Sequence, residues 1–598
     1  MSGSKVIIIG SGFFGLAAAR TYMKVDPLIK LTILEAESSV GGTWCRDRIF
    51  PTLTAQQPVG AYEYPDFQLI PEGQSENVGT HGNVAPGQRL CEYLETFARN
   101  EGIFEKIHFN TKVIEVKKLG TTEDPHGWGI YVQNGTQGAD STPDYICDKL
   151  IVATGQTSEE LIPHITGIET ASLPVIHSKY LGKSYEKIAT NTSRITVYGG
   201  GKSALDAVYM SAKLGKRVDW VIRPDEVGTG LAYFAPAVSL GQNAYDFISS
   251  RYAGKHHPSL LATDDWWYKF YHSGACAIGY WFSGFYWKFM SKYLWNSMGY
   301  NRSENGKKLI PILKHEDRLC WWVNKSPGIV TQPELIDWIH KGELITVHRA
   351  TIKSISSNSI ELVSAPSSGL VPSDLPSDAL ILCTGYKPFS PIFSHSSTLA
   401  ASLGLPTPLA SLPLQVAEKW APLTAAAEDR ISMLFPRLAS APPIEVAPRK
   451  TSPCRLYRSA VPTEYIRHND QTLVFVGMAA IADMGTFSQL SALWAVAWLS
   501  GKLKPLENQT MDDIERQVAE QSIWPVRRYL NAGVALPTFF MYESLPIFDT
   551  IMKDLGLNPY RKGGWWNENF QPYRPRDYKG IVEQWMSKEG LLATERVY

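Results

Sequence analysis

Three glycines in the run KVIIIGSGFFGLAAAR, at Gly10, Gly12 and Gly15, have the spacing of a turn that holds a dinucleotide. The first permits the tight turn, the second lets backbone approach a pyrophosphate, and the third lets a helix pack close against its strand. The unpaired N–H groups at that helix's N-terminus then face the phosphate charge. Glu35, at the end of the next apolar run LTILE, supplies a carboxylate that accepts hydrogen bonds from a ribose.

A second set stands in RITVYGGGKSALD. Gly199, Gly201 and Ala204 keep the same spacing, Lys202 and Ser203 lie between them, and Arg223 ends the following run RVDWVIR. A guanidinium binds a ribose 2′-phosphate bidentately, whereas a carboxylate repels it. Where the first set has Glu35 the second has Arg223, so the second set prefers NADPH and the first suits FAD or NAD. The Gly-Lys-Ser ending imitates an ATP-binding loop, but that loop needs a glycine at position 196, where Thr196 stands. Lys202 is read instead as an extra cation near the pyrophosphate or the 2′-phosphate.

Both sets need the same supports: a buried strand before the glycines, a helix after them, and a parallel strand on each side. Both halves close alike, with DKLIVATG (148–155) and DALILCTG (378–385). The expected fold is therefore α/β, with two Rossmann-type dinucleotide-binding domains. The repeat divides the chain into a first part of the first dinucleotide-binding domain (1–165), a first part of the second, NADPH-preferring domain (166–224), an aromatic-rich helical insertion (225–324), the second part of the NADPH-preferring domain (325–385), the second part of the first domain (386–505), and a C-terminal segment (506–598) that packs over the two dinucleotide-binding domains. A Pro/Ala/Ser-rich stretch around 403–450 reads as an irregular excursion. The insertion reads as a wall for a hydrophobic substrate, and the apolar run 485–501 as a buried helix.

Composition narrows the partners. Lys plus Arg and Asp plus Glu are equal at 58 each, so there is no basic excess to neutralise nucleic-acid phosphates. The seven cysteines are scattered without a Cys-x-x-Cys pair, which supports neither a zinc site nor a redox dithiol and fits a reducing, cytoplasmic compartment. The N-terminal run carries no signal-peptide pattern. Residues 270–287 are free of Asp, Glu, Lys and Arg but diluted by His272, serines and glycines. They suit an interfacial or substrate-lining role better than a span, which leaves peripheral membrane association open.

On GSGFFG, EAESSVGGTW (35–44), GGGKSA, ILCTGYKPF (381–389) and the run from Phe475 to Leu503, the chain resembles the flavin-containing monooxygenases, especially fungal-type members, over nearly its whole length. That resemblance implies FAD at the first set, NADPH at the second, O2 as co-substrate, and transfer of one oxygen atom to a small organic substrate through the oxygenated flavin; fungal-type relatives often act in secondary metabolism. It also implies that Gly42, Thr43 and Trp44 pass along the flavin and that Gln56 stands where many members carry an active-site Asn. Two features depart from the family: Gln56 is longer than that Asn, and His177 is preceded by Ala171 and Leu173 and followed by Tyr180 at three residues, outside the family's identifying spacing. His177 is read either as orienting the two domains or as a simple linker histidine. The motif lacks the Trp usual in Baeyer–Villiger relatives, so oxygenation of a ketone is the alternative reading. A flavin disulfide reductase would need a cysteine beside Cys45, which stands alone, and the intact glycine sets speak against a flavin-fold protein that only binds.

Overall fold

The structure, a computed structural model, describes residues 3–70, 81–120, 125–133, 135, 142–224, 234–239, 242–310, 321–322, 328–364, 372–393, 397–442, 446–503, 506 and 509–592. Two parallel sheets carry the two glycine sets. The first has five strands in the order Leu473–Phe475, Lys149–Val152, Lys5–Ile9, Lys30–Leu34 and Ile107–His108, all parallel. These are short β-branched runs buried on both faces, as expected of strands covered by helices on each side. The edge strand Leu473–Phe475 comes from the far end of the chain, so the sheet is completed only after the second unit has intervened.

The second sheet has seven strands in the order Val175–His177, Ala379–Leu382, Arg194–Tyr198, Arg217–Ile222, Ile345–Ser356, Ser359–Ser364 and Asp374–Pro376, the last two joined antiparallel. In each sheet the glycine-bearing strand is flanked by the strand of its closing run on one side and the strand of its acidic or basic run on the other. The architecture is α/β with parallel Rossmann-type sheets.

The helix Met484–Leu499 is apolar all round and nearly every residue of it is buried, which is the only stable placement for such a helix in water. It packs on the helix Phe13–Val25 behind the first glycine turn. Between them Arg20 donates to Gln489, whose amide donates to Thr21 at 3.0 Å, satisfying polar groups within the contact.

The Pro/Ala/Ser-rich stretch corrects one expectation. Leu414–Leu434 is a continuous helix with Pro422 inside it, packed on the helix Met511–Tyr529. The strong helix formers of 414–434 (Leu, Glu, Lys, Ala) outweigh one lost backbone bond when Trp420, Ala427 and Ile431 are buried. Within 242–310 the described chain is largely helical, with Trp266–Tyr271 and Ala277–Met298 its main aromatic elements. Arg251 ties this region to the C-terminal helices, donating to both carboxylate oxygens of Asp549 at 2.6 and 2.8 Å and to Glu568 at 2.9 Å. Among the described residues no helix is long and apolar enough to cross a membrane.

Candidate functional site

The first glycine turn is built by contacts that only hydrogen fits. Gly10 has φ +104°, and a Cβ there would stand 2.5 Å from the Ala153 carbonyl oxygen. At Gly15 a Cβ would lie 2.0 Å from the Gly10 carbonyl oxygen, so the helix can approach its strand only as glycine. Gly12 differs: a Cβ would meet nothing closer than the Gly42 Cα at 3.6 Å. The protein itself leaves room at Gly12, and that room opens into a groove of about 410 Å³. Gly12 is the N-cap of Phe13–Val25, with no side-chain cap and no acidic residue in the first turn. The first amides are thus left for an anion.

Of the residues singled out from the sequence, Gly10, Gly12, Glu35, Gly42, Thr43 and Trp44 line this groove. Gly15 lies behind it as packing. Glu35 is buried and already engaged: one oxygen accepts from the Ser11 amide and hydroxyl, each at 2.7 Å, and the other from the Glu37 amide at 2.9 Å. It therefore holds the glycine turn in shape and keeps spare acceptor capacity for a ribose. Thr43 Oγ1 bonds Thr157 Oγ1 at 2.7 Å. The Trp44 indole donates to Tyr62 Oη at 3.0 Å, and Tyr62 also meets Phe13 edge-on at 4.8 Å. Burial pushes the Tyr62 phenol up to about 12, so it stays neutral as the acceptor of the Trp44 indole in this aromatic wall.

The groove also recruits residues that the motifs did not mark. Arg48, almost fully buried, donates to the Thr157 carbonyl at 2.8 Å and to Glu37 at 3.0 Å. The Lys179 ammonium donates to the Ser158 carbonyl at 2.7 Å. Gln156, just past the first closing strand, donates to the Met478 carbonyl and to Thr538 Oγ1 at 3.2 Å, joining two segments far apart in sequence. Cys45 is buried and its thiol is pushed up to about 11 by that burial. It forms no disulfide.

The second turn repeats the construction. Gly199 has φ +144° and a Cβ there would lie 2.2 Å from the Cys383 carbonyl oxygen, while a Cβ on Gly201 would point into open space. Gly201 is again an N-cap without a side-chain partner, and Ser203 and the fully buried Ala204 lie in the first turn of the helix Lys202–Lys213.

Strand register corrects the pairing of Glu35 with Arg223. The Gly10 amide donates to Leu34, and the Gly199 amide to Val221, at 2.8 and 3.0 Å. The counterpart of Glu35 is therefore the buried Ile222, and Arg223 corresponds to Ala36, one residue further out. Side chains alternate along a strand, which is why Arg223, like Ala36, is exposed at the carboxyl edge of its sheet.

Lys202 is likewise not a free cation. Its ammonium pairs with Asp206 one turn on and lies 3.5 Å from the Thr54 carbonyl. Gln56 does not border the groove: its Oε1 accepts from the Ile329 amide at 2.9 Å, and Thr54 bonds Thr331 at 2.9 Å on the same side of the strand. Gln57, on the opposite side, is buried with an unpaired Oε1. His177 accepts at Nδ1 from the Lys179 amide at 3.2 Å, which leaves Nε2 to donate to the Gly385 carbonyl at 3.0 Å. Burial holds its pKa below the ordinary range, in keeping with a neutral ring. It clasps the end of its own strand to the second closing loop. The aromatic helices 266–271 and 277–298 do not line the groove.

A family model described as pyridine nucleotide-disulphide oxidoreductase matches residues 7–235. The FAD-dependent monooxygenase rstn6 of Aspergillus nomiae is 32% identical over 609 residues, covering 99% of this chain and 100% of the relative. The FAD-dependent monooxygenase DEP4 of Alternaria brassicicola is 32% identical over 98% of this chain and 95% of its own. The chain belongs to the FAD-dependent monooxygenases. A crystal structure of OTEMO complexed with FAD and NADP matches with a TM-score of 0.54 at 15% identity, over 99% of both chains, a likeness of fold. For an FAD-dependent monooxygenase, the uncapped helix start at Gly12 and the space beside it fit the pyrophosphate of FAD.

Proposed function

We propose that this monooxygenase holds FAD along the groove between Gly10 and Trp44, takes NADPH at the turn Gly199–Ala204, and delivers one atom of O2 to a small, apolar organic substrate, as in secondary metabolism. The observation that supports this reading is the duplicated turn: two uncapped helix starts, each at a glycine whose Cβ position meets no protein atom closer than 3.6 Å, at the carboxyl edges of two parallel sheets. Ligands of such sheets bind at that edge.

The residues divide the work. The first-turn amides after Gly12 receive the pyrophosphate, and Glu35 receives a ribose hydroxyl with its remaining acceptor capacity. The buried ring of Trp44, fixed by Tyr62, keeps water from one side of the groove. At the second turn the amides after Gly201 receive the NADPH pyrophosphate, and the exposed Arg223 receives the 2′-phosphate from outside the strand end. Lys202, held by Asp206 and close to Thr54, connects the second turn to the strand that carries Gln56. In this reading Gln56 acts by positioning the segment 328–330 rather than by direct contact with the flavin. When bound, the flavin supplies the redox step, accepting hydride from the nicotinamide and activating oxygen.

The test is the purified protein under air. It is expected to carry bound flavin and to oxidise NADPH faster than NADH, with substrate raising the rate and labelled oxygen entering the product. A protein that retains no flavin when FAD is supplied, or never oxidises NADPH with any of a panel of substrates, overturns the proposal.

A further inference from the structure

The helix Ala277–Met298 is apolar on two opposite sides. Gly279, Ser283, Trp287, Met290 and Met298 are buried against the protein. On the opposite side Ile278, Trp281, Phe285 and Phe289 are 77%, 66%, 54% and 52% exposed, with Phe282 beside them. Their spacing confines them to an arc of about 100° along three turns. A soluble monomer seldom leaves so continuous an apolar face in water.

The face does not end with this helix. Gly279 has its Cβ position 2.3 Å from the Phe270 carbonyl, so the helix Trp266–Tyr271 lies hard against its start. That helix presents Trp266, also exposed, stacked on Phe270 at 5.0 Å. Trp267 then meets Tyr252 at 6.3 Å, and Tyr252 meets Phe570 at 5.0 Å. Phe570 belongs to the helix Trp565–Phe570, whose Trp565 and Trp566 are again two-thirds exposed. Two helices that follow one another in the chain and a third near its C-terminal end thus contribute to one aromatic ridge.

We propose that this ridge seats the protein on an anionic lipid surface. Its charges identify that occupant. Lys288 and Lys292 are exposed beside or within the apolar arc of a helix that contains no Asp or Glu, and Lys269 is exposed on the neighbouring helix. No ion pair to these three lysines is present among the described residues. The acids on these helices and their flanks include the exposed Asp264 and Asp265 at the start of 266–271, the latter accepting from the Trp267 amide at 3.1 Å, and the buried Glu568, which with Asp549 is paired to Arg251. Tryptophan and phenylalanine flanked by lysine suit the headgroup–acyl boundary, with the rings below the phosphates and the ammonium groups among them. The helix is surrounded by protein on its other side, so it lies on such a surface rather than crossing it.

The experiment uses the flavin-loaded full chain and sedimentation with vesicles of equimolar phosphatidylcholine and phosphatidylserine. Binding is expected, weakening as salt rises, and weaker still to pure phosphatidylcholine. Trp281→Ser with Phe285→Ser is expected to lower partitioning about tenfold or more, since each ring withdrawn from the apolar phase forfeits the transfer free energy of a large side chain. Lys288→Glu with Lys292→Glu is expected to lower binding to the anionic vesicles only. Retained flavin absorbance and NADPH oxidation certify that the variants fold. If they do not fold, quenching of wild-type tryptophan fluorescence by bromine-labelled lipid decides the matter, its presence supporting the proposal and its absence refuting it. Failure to bind either vesicle overturns the proposal, as does binding unaltered by the ring substitutions. A dimer of this chain that those substitutions dissolve also overturns it, by assigning the ridge to a second copy.

Discussion

Gly12 and Gly15 belong to one motif, yet the structure separates what each is for. Gly12 has an ordinary φ of −78° as N-cap, and its Cβ position is 3.6 Å from the nearest protein atom. Gly12→Ala therefore stiffens the unfolded chain, a gain of about 0.4–1 kcal/mol, and places alanine at an N-cap, a loss of about 0.5–1 kcal/mol relative to a better cap. The two nearly cancel, so the flavin-free protein should keep its stability within about 1 kcal/mol. The added methyl instead occupies the space assigned to the pyrophosphate, and overfilling a close contact by one methyl costs about 1–3 kcal/mol, which weakens FAD binding about tenfold to a hundredfold. Gly15→Ala behaves in the opposite sense. Its Cβ would stand 2.0 Å from the Gly10 carbonyl oxygen, so helix and strand must separate, and the flavin-free protein should lose about 2–4 kcal/mol. The measurements are denaturant unfolding of both flavin-free variants and titration with FAD by fluorescence quenching. A Gly12→Ala protein that binds FAD like wild type, or that is destabilised as much as Gly15→Ala, would refute the assignment of that space to the cofactor.

Arg223→Ala should raise the KM for NADPH about tenfold to a hundredfold, the loss of a hydrogen-bonded charge pair, and leave that for NADH nearly unchanged; equal effects on both would remove Arg223 from the 2′-phosphate. Asp483 caps the helix Met484–Leu499 and is fully buried, which pushes its carboxyl up to about 6. The folded chain then keeps a proton that the unfolded chain releases near pH 4, so stability falls by up to about 3 kcal/mol as pH rises from about 4 to about 6. Asp483→Asn should abolish that slope in unfolding experiments, and an unchanged slope would show that another group produces it. His177 has the opposite sign: with its pKa held below the unfolded value, its contribution is present above about pH 6.5 and is lost as the pH falls. His177→Ala should cost about 1–3 kcal/mol at pH 8 through the loss of its two hydrogen bonds, to the Gly385 carbonyl and from the Lys179 amide, with a smaller loss at pH 5; a cost that grows on acidification would contradict a neutral ring.

The parts of this site that are local in sequence were legible there. The glycine turns, the closing strands 149–152 and 379–382, and the buried helix 484–499 each follow from a run whose periodicity and turn residues act within a dozen positions. The parts that depend on contacts between distant segments were not. Arg48 and Gln156 enter the groove through partners 109 and 322 residues away, and no spacing marks them. The offset of Arg223 arises because the second helix and its turn are shorter than the first, a difference seen only when Gly10–Leu34 and Gly199–Val221 are compared as bonded pairs. Gln56 belongs to a strand whose two sides face different units, and the alternation alone does not say which side meets the cofactor. The Pro/Ala/Ser-rich composition of 403–450 disguised a helix because breaker residues are judged by their own preference, whereas burial of Trp420 and Ile431 is a property of the partner helix.

The late arrival of Leu473–Phe475 has a consequence for synthesis. The strand Lys149–Val152 and the helix Phe13–Val25 acquire their partners only from residues 473–475 and 484–499. On the ribosome, the first four strands and their alanine-rich helix must wait through more than half the chain with one edge and one apolar side uncovered. The second sheet, whose strands all lie between 175 and 376–382, can close first. Such long-range pairings slow folding and leave sticky intermediates. The order of emergence therefore makes the unit with the second glycine turn the natural nucleus and the unit with the first glycine turn the last to mature, so that chaperone occupancy should end only once the residues around 499 have cleared the exit tunnel.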